Sequence, residues 1–222
     1  MHTRRSPGPL TAVGLMSGTS LDGIDAALLV TDGERVIERG AAATMAYPPE
    51  FRARLRRLLG RSPGAVDAAT IEELTDRHRD AVTALLRTAG LPRDAIDVVG
   101  FHGQTVLHDP RQRRTLQVGD GQRLASALEL PVVADFRTAD VAAGGEGAPL
   151  APLYHLALAL ALDRPLAVLN LGGVGNVTWI GVGRDPNVLA FDTGPGNALL
   201  DDWMAQTTGA PFDANGALAA QG

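Results

Sequence analysis

The chain has 222 residues, 45% hydrophobic and 20% charged, which is typical of a folded globular protein and excludes a disordered one. The net charge of −5 provides no basic field, so neither nucleic acid nor a membrane surface is an expected partner. The chain has no Cys, and all 20 basic residues are Arg, so disulfides, thiolate chemistry, a P-loop lysine and a Schiff base are all excluded.

The first part of the chain predicts an α/β region in which three strands precede alternating helices and strands. The Asp-Gly pair at 32–33 is a hairpin signal, and apolar residues recur at helical spacing from Ile71 to Leu85. Strands are expected over 11–16, 24–30, 35–44, 96–101, 115–118 and 131–134. Helices are expected over 50–59, 65–88, 122–128 and 149–162.

The opening pattern then returns. Apolar runs at 166–171, 177–182 and 188–191 predict three more strands, with a glycine turn at 172–176 and a helix over 197–206. The repeat predicts a duplicated α/β unit, with domains at 1–162 and 163–222 and the second copy only begun.

The sequence predicts neither a signal peptide nor a membrane span. Residues 1–10 are too short and polar for a signal peptide, and the apolar stretch 150–162 is shorter than the roughly 20 residues of a membrane span. We expect a soluble, cytoplasmic protein.

Glycines, hydroxyls and carboxylates cluster at residues 18–25, which predicts a turn that faces the phosphates of a nucleotide. Glycine N–H groups can approach an anion, and carboxylates can hold a hydrated Mg²⁺ that supplies the charge a lysine would otherwise bring. An ordinary hairpin turn is the alternative. The second glycine turn at 172–176 favours the anion interpretation, because two such loops facing each other across a cleft form the phosphate clamp of actin-like ATPases.

Six segments in order resemble one family. They are GLMSGTSLDGID (14–25), FHGQTVLHDP (101–110), LQVGDGQRLA (116–125), VVADFRTADVAAGGEGAPLAP (132–152), LNLGGVGNVT (169–178) and FDTGPGNALLDDW (191–203). The sequence resembles the 1,6-anhydro-N-acetylmuramic acid kinases of the sugar kinase, Hsp70 and actin superfamily. The resemblance implies an actin-like, ribonuclease H-like fold. Family members continue past Gly222, so the first lobe is expected to be complete and the second truncated.

The resemblance also implies an activity. It is ATP-dependent phosphorylation of 1,6-anhydro-N-acetylmuramic acid with simultaneous hydrolysis of the anhydro ring, giving N-acetylmuramic acid 6-phosphate in peptidoglycan recycling. ATP and Mg²⁺ are the expected cofactors, the amino sugar is the expected substrate, and a homodimer is an open expectation. The alternative is an inactive truncated lobe that binds sugar or a partner without catalysis.

By the same resemblance Asp192 is the catalytic base, which activates water to attack the anomeric carbon while the freed 6-oxygen takes the γ-phosphoryl group. A helix N-cap is the alternative role for this carboxylate. The triplet Asp192-Thr193-Gly194 also matches aspartic proteases, but those enzymes need two such carboxylates and the chain has a single triplet.

The remaining site residues implied by the resemblance form a nucleotide set, which includes the metal ligands, and a sugar set. The nucleotide set is Gly18, Thr19, Ser20, Leu21, Asp22, Gly23, Ile24, Asp25, Gly172, Gly173 and Asn176. Within it, Asp22 and Asp25 are the expected metal ligands. The sugar set is His102, Gln104, Thr105, Arg137, Asp140, Gly194, Gly196 and Asn197.

Arg137 is expected on a loop after a buried strand, where its planar guanidinium suits the lactyl carboxylate of a muramic acid. A buried Arg137–Asp140 ion pair is the alternative. The spacing of His102, His108 and Asp109 fits no strong metal template. Other features are expected to be structural or solvated: His78, His155, the Arg-rich stretch 52–61, Glu146 and the Asp201–Asp202 pair.

Overall fold

The structure, a computed structural model, describes residues 8–61, 64, 66–184 and 186–222. It separates into two compact units, Met1–Ala148 and Pro149–Gly222. Most of the segment tested for a signal peptide, and the predicted first residue of the second helix, Ala65, lie outside the described residues. In the part that is described, no helix has both the length and the apolar character needed to cross a membrane.

Among its described residues, the first unit contains six strands and four α-helices. The strands are β1 (Leu10–Ser17), β2 (Gly23–Thr31), β3 (Val36–Ala46), β4 (Val98–Asp109), β5 (Arg114–Val118) and β6 (Val132–Ala134). The helices are α1 (Pro49–Arg56), α2 (Ala68–Ala89), α3 (Gly121–Leu128) and α4 (Thr138–Ala143). The predicted alternation of strands and helices is confirmed, except that α4 was not predicted.

One mixed sheet organises this unit, with the order β3-β2-β1-β4-β5 and with β6 paired to β4. Strands β1, β2 and β3 form an antiparallel meander, whereas β4 is parallel to both β1 and β6. The ends of β1 and of the first half of β4 therefore lie at the same edge of the sheet. That edge carries the glycine turn after β1.

Helix α2 covers one face of the sheet and closes the core. Asp67 caps its first turn by accepting a hydrogen bond from the Thr70 N–H at 2.8 Å, and Gly90 ends it in the left-handed conformation at φ 66°. In its predicted stripe, Leu74, Val82 and Leu85 are fully buried, whereas Ile71 is half-buried. Burial of this stripe stabilises the unit through the hydrophobic effect.

Strand β4 is twice as long as predicted, running to Asp109 instead of ending at Phe101. The part of β4 beyond Phe101 contains His102 and Gln104, which are polar and nevertheless buried. Because these side chains satisfy hydrogen bonds inside the unit, the strand lacks the apolar alternation on which the prediction depended. Gly103 sits between them at φ 70°, where a Cβ atom would lie 2.5 Å from the Val118 carbonyl oxygen.

The second unit contains α5 (Ala151–Ala159), β7 (Leu166–Leu171), β8 (Val174–Ile180), β9 (Val188–Pro195) and α6 (Ala198–Thr208). Its sheet is the antiparallel meander β7-β8-β9, which repeats the β1-β2-β3 arrangement. The predicted return of three strands is thus confirmed.

Two boundaries differ from those predicted. The compact units divide between Ala148 and Pro149, ahead of α5, because α5 packs on β8 and β9. The predicted turn at 172–176 is shorter, since β8 already begins at Val174 and only Gly172 and Gly173 separate it from β7.

Candidate functional site

The first glycine turn joins β1 to β2. The Leu21 N–H donates to the Gly18 carbonyl at 3.2 Å, and Leu21 has a left-handed φ of 58° while its side chain is 1% exposed. The buried leucine anchors the turn in the core, and Thr19 and Ser20 stay at the surface. Among the described residues, the backbone N–H groups of Thr19 and Ser20 find no acceptor. These donors are suited to an anion.

Two carboxylates flank this turn. Asp22 accepts a hydrogen bond from the Ser20 hydroxyl at 2.8 Å, and Asp25 accepts one from the Thr44 hydroxyl at 2.5 Å. Both side chains are exposed. The prediction of one turn over 18–25 is wrong at its end, because β2 begins at Gly23 and Asp25 lies within the strand. Gly23 is tightly fitted, since a Cβ atom there would lie 2.4 Å from the Met45 carbonyl oxygen.

Gln104 supports the turn from beneath. Its Nε2 donates to the Gly18 carbonyl at 3.1 Å and to the Thr105 carbonyl at 3.2 Å, and the side chain is fully buried. Its Oε1 has no partner among the residues described. The neighbouring Thr105 hydroxyl accepts from the Gln117 amide at 3.3 Å. Gln104 therefore holds the turn between β1 and β2 in place, while its predicted sugar contact and that of Thr105 stay predictions.

His102 and Arg137 form a second group. The His102 Nδ1 lies 2.8 Å from the Gly103 carbonyl, and the Arg137 Nε donates to the His102 Nε2 at 3.0 Å. Burial lowers the pKa of His102, and the nearby Arg137 guanidinium lowers it further, outweighing the opposing effect of the bond to the Gly103 carbonyl. The imidazole is therefore neutral near pH 7, and both of its nitrogens are engaged in hydrogen bonds.

Arg137 and Asp140 are linked by hydrogen bonds that each makes to the backbone of Gly147. The Arg137 Nη1 donates to the Gly147 carbonyl at 2.6 Å, while the Gly147 N–H donates to the Asp140 carboxylate at 2.7 Å. No salt bridge of the described residues joins Arg137 to Asp140, so the alternative of a direct ion pair is wrong. The preceding strand is also not buried as predicted, because Val133 is 52% exposed.

In the second unit, Asp192 lies within β9. It is the register partner of Asn176 on β8, which in turn pairs with Asn170 on β7. Directly paired residues project from the same face of a sheet, so these three polar side chains form one row. The register shifts immediately beyond this row, between Gly175 and Asn176, which leaves Thr193 as an extra residue on β9.

The two glycine turns of this unit are hydrogen-bonded to each other. The Gly196 N–H donates to the Gly173 carbonyl at 2.9 Å, and the Asn197 N–H donates to the Gly172 carbonyl at 2.7 Å. The Asn197 amide also donates to the Leu171 carbonyl at 2.8 Å. Asn197 occupies the N-cap position of α6, so the alternative of an N-cap role for Asp192 is wrong.

Gly194 and Gly196 occupy positions where any other residue would be strained or would clash with the backbone. Gly194 has a φ of 143°, and a Cβ atom on Gly196 would lie 2.2 Å from the Gly172 carbonyl oxygen. The structure thus brings together Asp192, Asn176 and all four predicted glycines of this unit through backbone pairing.

Three further histidines are accounted for structurally. His78 is fully buried, its Nδ1 lies 2.8 Å from the Leu74 carbonyl, and burial lowers its pKa to about 4. His155 contacts the Thr178 hydroxyl at 2.9 Å, and His108 contacts the Thr115 hydroxyl at 3.0 Å. Within the described ranges, no group of three or more His, Asp or Glu side chains is arranged to hold a metal ion.

Sequence reasoning missed Asn170, Ser17 and Gly147. Asn170 is a lone polar residue in an apolar strand, which is a signal that was available. Ser17, whose hydroxyl donates to the Gly103 carbonyl at 3.2 Å, and Gly147, which acts through its backbone, carry no comparable signal.

Comparison with known proteins gives a consistent result. The model of the family described as anhydro-N-acetylmuramic acid kinase matches residues 10–222. Among curated relatives of that name, the protein from Rhodospirillum rubrum is 59% identical over 100% of this chain and 59% of its own length. The proteins from Acidiphilium cryptum and Paramagnetospirillum magneticum are 58% and 56% identical, over 95% and 96% of this chain.

These relatives are longer, and the chain spans 58–59% of their lengths. Among solved structures, YeaZ from Pseudomonas aeruginosa aligns at 18% identity with a TM-score of 0.33, covering 84% of this chain and 68% of that one, which is too distant to assign a fold. The match to the family model extends from β1 to the last residue, and the chain belongs to the anhydro-N-acetylmuramic acid kinase family.

Proposed function

We propose that this chain carries the phosphate-binding turn, the sugar-binding groups and the catalytic base of an ATP-dependent 1,6-anhydro-N-acetylmuramic acid kinase. The reaction phosphorylates the sugar and opens its anhydro ring, giving N-acetylmuramic acid 6-phosphate for peptidoglycan recycling. The observation that carries the proposal is the family match over residues 10–222. The arrangement of the candidate residues within each unit supports it.

Asp192 is the proposed general base. Its carboxylate is exposed on β9, and the row with Asn176 and the adjoining glycine turns hold its strand in place. As water attacks the anomeric carbon, one water proton passes to Asp192 and the hydroxyl forms the new bond to that carbon. The bond from the anomeric carbon to the bridging 6-oxygen breaks, and the 6-oxygen takes the γ-phosphoryl group as ADP leaves.

The turn between β1 and β2 is the proposed phosphate site. The Thr19 and Ser20 N–H groups are suited to phosphate oxygens, because they are exposed and no described residue accepts a hydrogen bond from them. Asp22 and Asp25 fit Mg²⁺, which is commonly bound by one or two carboxylates together with water and substrate phosphates. When bound, the ion would offset phosphate charge in a chain that has no Lys. In the second unit, Gly172, Gly173 and Asn176 are the proposed nucleotide contacts.

The finer fold assignment is part of the same proposal. We infer an actin-like architecture in which the two compact units, Met1–Ala148 and Pro149–Gly222, belong to successive lobes. The repeated three-stranded antiparallel meander supports it. A cytoplasmic location, where ATP is available, and a homodimer belong to this proposal as well.

A coupled phosphoryl-transfer assay tests the function. ADP release is measured with this chain and with a chimera that supplies the part of the Rhodospirillum rubrum relative that the chain does not span. We expect ADP release by the chimera to require 1,6-anhydro-N-acetylmuramic acid and to match the sugar phosphate formed in a one-to-one ratio. N-Acetylmuramic acid without the anhydro bridge is the control substrate. A folded chimera that releases no sugar-dependent ADP would overturn the proposal.

A further inference from the structure

The guanidinium of Arg137 is held on two of its sides. Its Nε donates to the His102 Nε2 at 3.0 Å, and its Nη1 donates to the Gly147 carbonyl at 2.6 Å. Two of its five N–H groups are thus used, which defines the plane of the fork and leaves Nη2 with no bond to any of the residues described. Burial lowers the pKa of Arg137, although the group stays charged at neutral pH.

The identity of the partners fixes the histidine tautomer. A guanidinium only donates hydrogen bonds, so the His102 Nε2 must carry a lone pair, and a carbonyl only accepts, so the Nδ1 facing Gly103 must carry the proton. Both requirements are met by a single neutral form. His102 is 7% exposed and has no ring nitrogen left for a ligand.

We propose that His102 is a positioning residue, which holds the Arg137 guanidinium so that its free edge receives a carboxylate. The sequence predicts that His102 contacts the sugar itself, whereas both of its ring nitrogens are bonded, one to the Gly103 carbonyl and one to Arg137. The ligand assignment rests on the proposed function, in which the carboxylate is the lactyl group of the sugar. A fixed planar fork loses less entropy on binding than a mobile one, and bidentate pairing with a carboxylate suits its geometry.

The loop on the far side supports the same role. A Cβ atom on Gly147 would lie 2.6 Å from a Val141 methyl group, and one on Gly145 would lie 2.2 Å from the Asp140 carboxylate. The loop is therefore closed tightly over the start of α4, and Asp140 is engaged by the Gly147 N–H. Arg137 consequently contacts a backbone carbonyl and an imidazole but no carboxylate among the described residues, and a guanidinium in this setting favours an anionic ligand.

The His102 bond also reaches the phosphate turn. The Gly103 carbonyl that accepts from His102 accepts as well from the Ser17 hydroxyl, and Ser17 immediately precedes Gly18. A single chain of hydrogen bonds thus runs from β1 through β4 to the start of α4. Loss of the imidazole would disturb the Arg137 end of this chain, whereas Gln104 would still hold the turn through Gly18.

Nuclear magnetic resonance of the full chain tests the positioning role without any ligand. We expect the His102 ring to show a protonated Nδ1 and an unprotonated Nε2 at pH 7, and the Arg137 Nε–H, assigned by its loss in Arg137→Lys, to be protected from exchange. His102→Leu should abolish that protection. His102→Gln should restore it, because a Gln oxygen can take the acceptor position of Nε2. An unchanged Arg137 Nε–H in a folded His102→Leu variant would overturn the proposal.

Calorimetric titration of the same variants tests the ligand. 1,6-Anhydro-N-acetylmuramic acid is compared with 1,6-anhydro-N-acetylglucosamine, which lacks the lactyl carboxylate. We expect His102→Leu to weaken binding of the muramic acid sugar about tenfold and the glucosamine sugar little, with His102→Gln close to the wild type. Equal weakening of both sugars would overturn the positioning role while the kinase proposal stands. If neither sugar binds the wild type but the spectroscopic coupling is present, the proposed substrate falls and the positioning of Arg137 stands.

Discussion

The candidate residues of the two units are held in place in different ways. In the first unit, His102, Gln104 and Arg137 are buried or half-buried and are fixed by side-chain hydrogen bonds. In the second unit, Asp192 and Asn197 are exposed, and backbone pairing between strands and glycine turns sets their positions. Groups of the first kind are part of the core, so changing them affects folding as well as function. Groups of the second kind can be altered with little effect on folding.

The cores differ in the same direction. The first unit encloses a continuous cluster that includes Val13, Leu74 and Phe101. In the second unit Leu169, Leu189 and Phe191 are each more than half exposed, although they project from one face of the β7-β8-β9 sheet. The first unit therefore supplies most of the apolar burial in the described chain. We expect the two units to differ in their free energy of unfolding, so that each is measured with its own probe.

The largest expected effect is on catalysis. Asp192→Asn should reduce the kcat of the chimera by about 10²- to 10⁴-fold, because an amide keeps the size of the carboxylate but cannot accept a proton. The thermal unfolding midpoint should stay unchanged, since the side chain is exposed. Rates are measured at saturating ATP and sugar.

Asp202→Asn on α6 is the matched control and should leave kcat nearly unchanged, since it neutralises an exposed carboxylate of the same unit outside the candidate site. A near-normal kcat for Asp192→Asn would assign the base to another carboxylate. A large loss of stability would contradict the contrast between exposed and core-held groups.

The second effect is on the acid stability of the first unit. The folded pKa of His78 is about 4, against 6.5 for the free side chain, because burial opposes its charge. Between pH 6.5 and pH 4 His78 is protonated in the unfolded chain but neutral in the folded chain. The free energy of unfolding therefore falls as pH decreases and levels off below pH 4. The loss amounts to about 3 kcal/mol. His102, whose pKa is also lowered, acts in the same direction.

The free energy of unfolding is measured by urea unfolding at pH 7.0, 5.5 and 4.5. Hydrogen exchange of the β4 backbone amides is the probe of the first unit. Both tryptophans, Trp179 and Trp203, lie in the second unit, so their fluorescence provides an internal comparison that should depend less on pH. His78→Leu should flatten the dependence seen at β4. An equally steep dependence in that variant would assign the acid sensitivity to other groups.

The first unit contains both structure that the sequence predicts and structure that it does not. The sequence predicts the meander β1-β2-β3 because short apolar runs are separated by polar, glycine-containing turns. It does not predict the part of β4 beyond Phe101, because the buried His102 and Gln104 are typical of a polar loop. Buried polar side chains become recognisable only when their partners are known, and those partners are distant in sequence.

The candidate site shows the same limit. The sequence predicts the two glycine turns because glycines cluster at 18–25, together with hydroxyl residues, and at 172–176. The link from Arg137 to Asp140 is not predicted, because it passes through the N–H and carbonyl of Gly147, and backbone groups are the same at every residue. Register between strands likewise placed Asn170 in the row with Asp192, which spacing along the chain does not reveal.

A third effect concerns sugar affinity. Arg137→Ala in the chimera should raise the KM for 1,6-anhydro-N-acetylmuramic acid by about tenfold or more, since it removes a charged donor to the carboxylate, and should change the KM for ATP little. Steady-state kinetics with each substrate varied in turn measures the split. Arg52→Ala, which removes a guanidinium bonded to the Ser20 carbonyl, is the matched control and should affect the ATP side instead. An unaffected sugar KM would show that Arg137 only closes the Gly147 loop.

The smallest expected effects concern the two carboxylates of the first turn. Asp22→Ala and Asp25→Ala should each raise the Mg²⁺ concentration needed for half-maximal activity by several-fold, roughly the loss of one ligand from a largely hydrated ion. Both side chains are exposed, so stability should change little. Thr44→Val separates direct from indirect action, because it removes the hydrogen bond to Asp25 and leaves the carboxylate in place. If Thr44→Val raises the Mg²⁺ requirement as much as Asp25→Ala does, the Thr44 hydroxyl orients the Asp25 carboxylate. A side-chain hydrogen bond then positions this group too, as it does for His102 and Gln104. If neither carboxylate variant changes the Mg²⁺ requirement, the phosphate assignment of this turn is wrong.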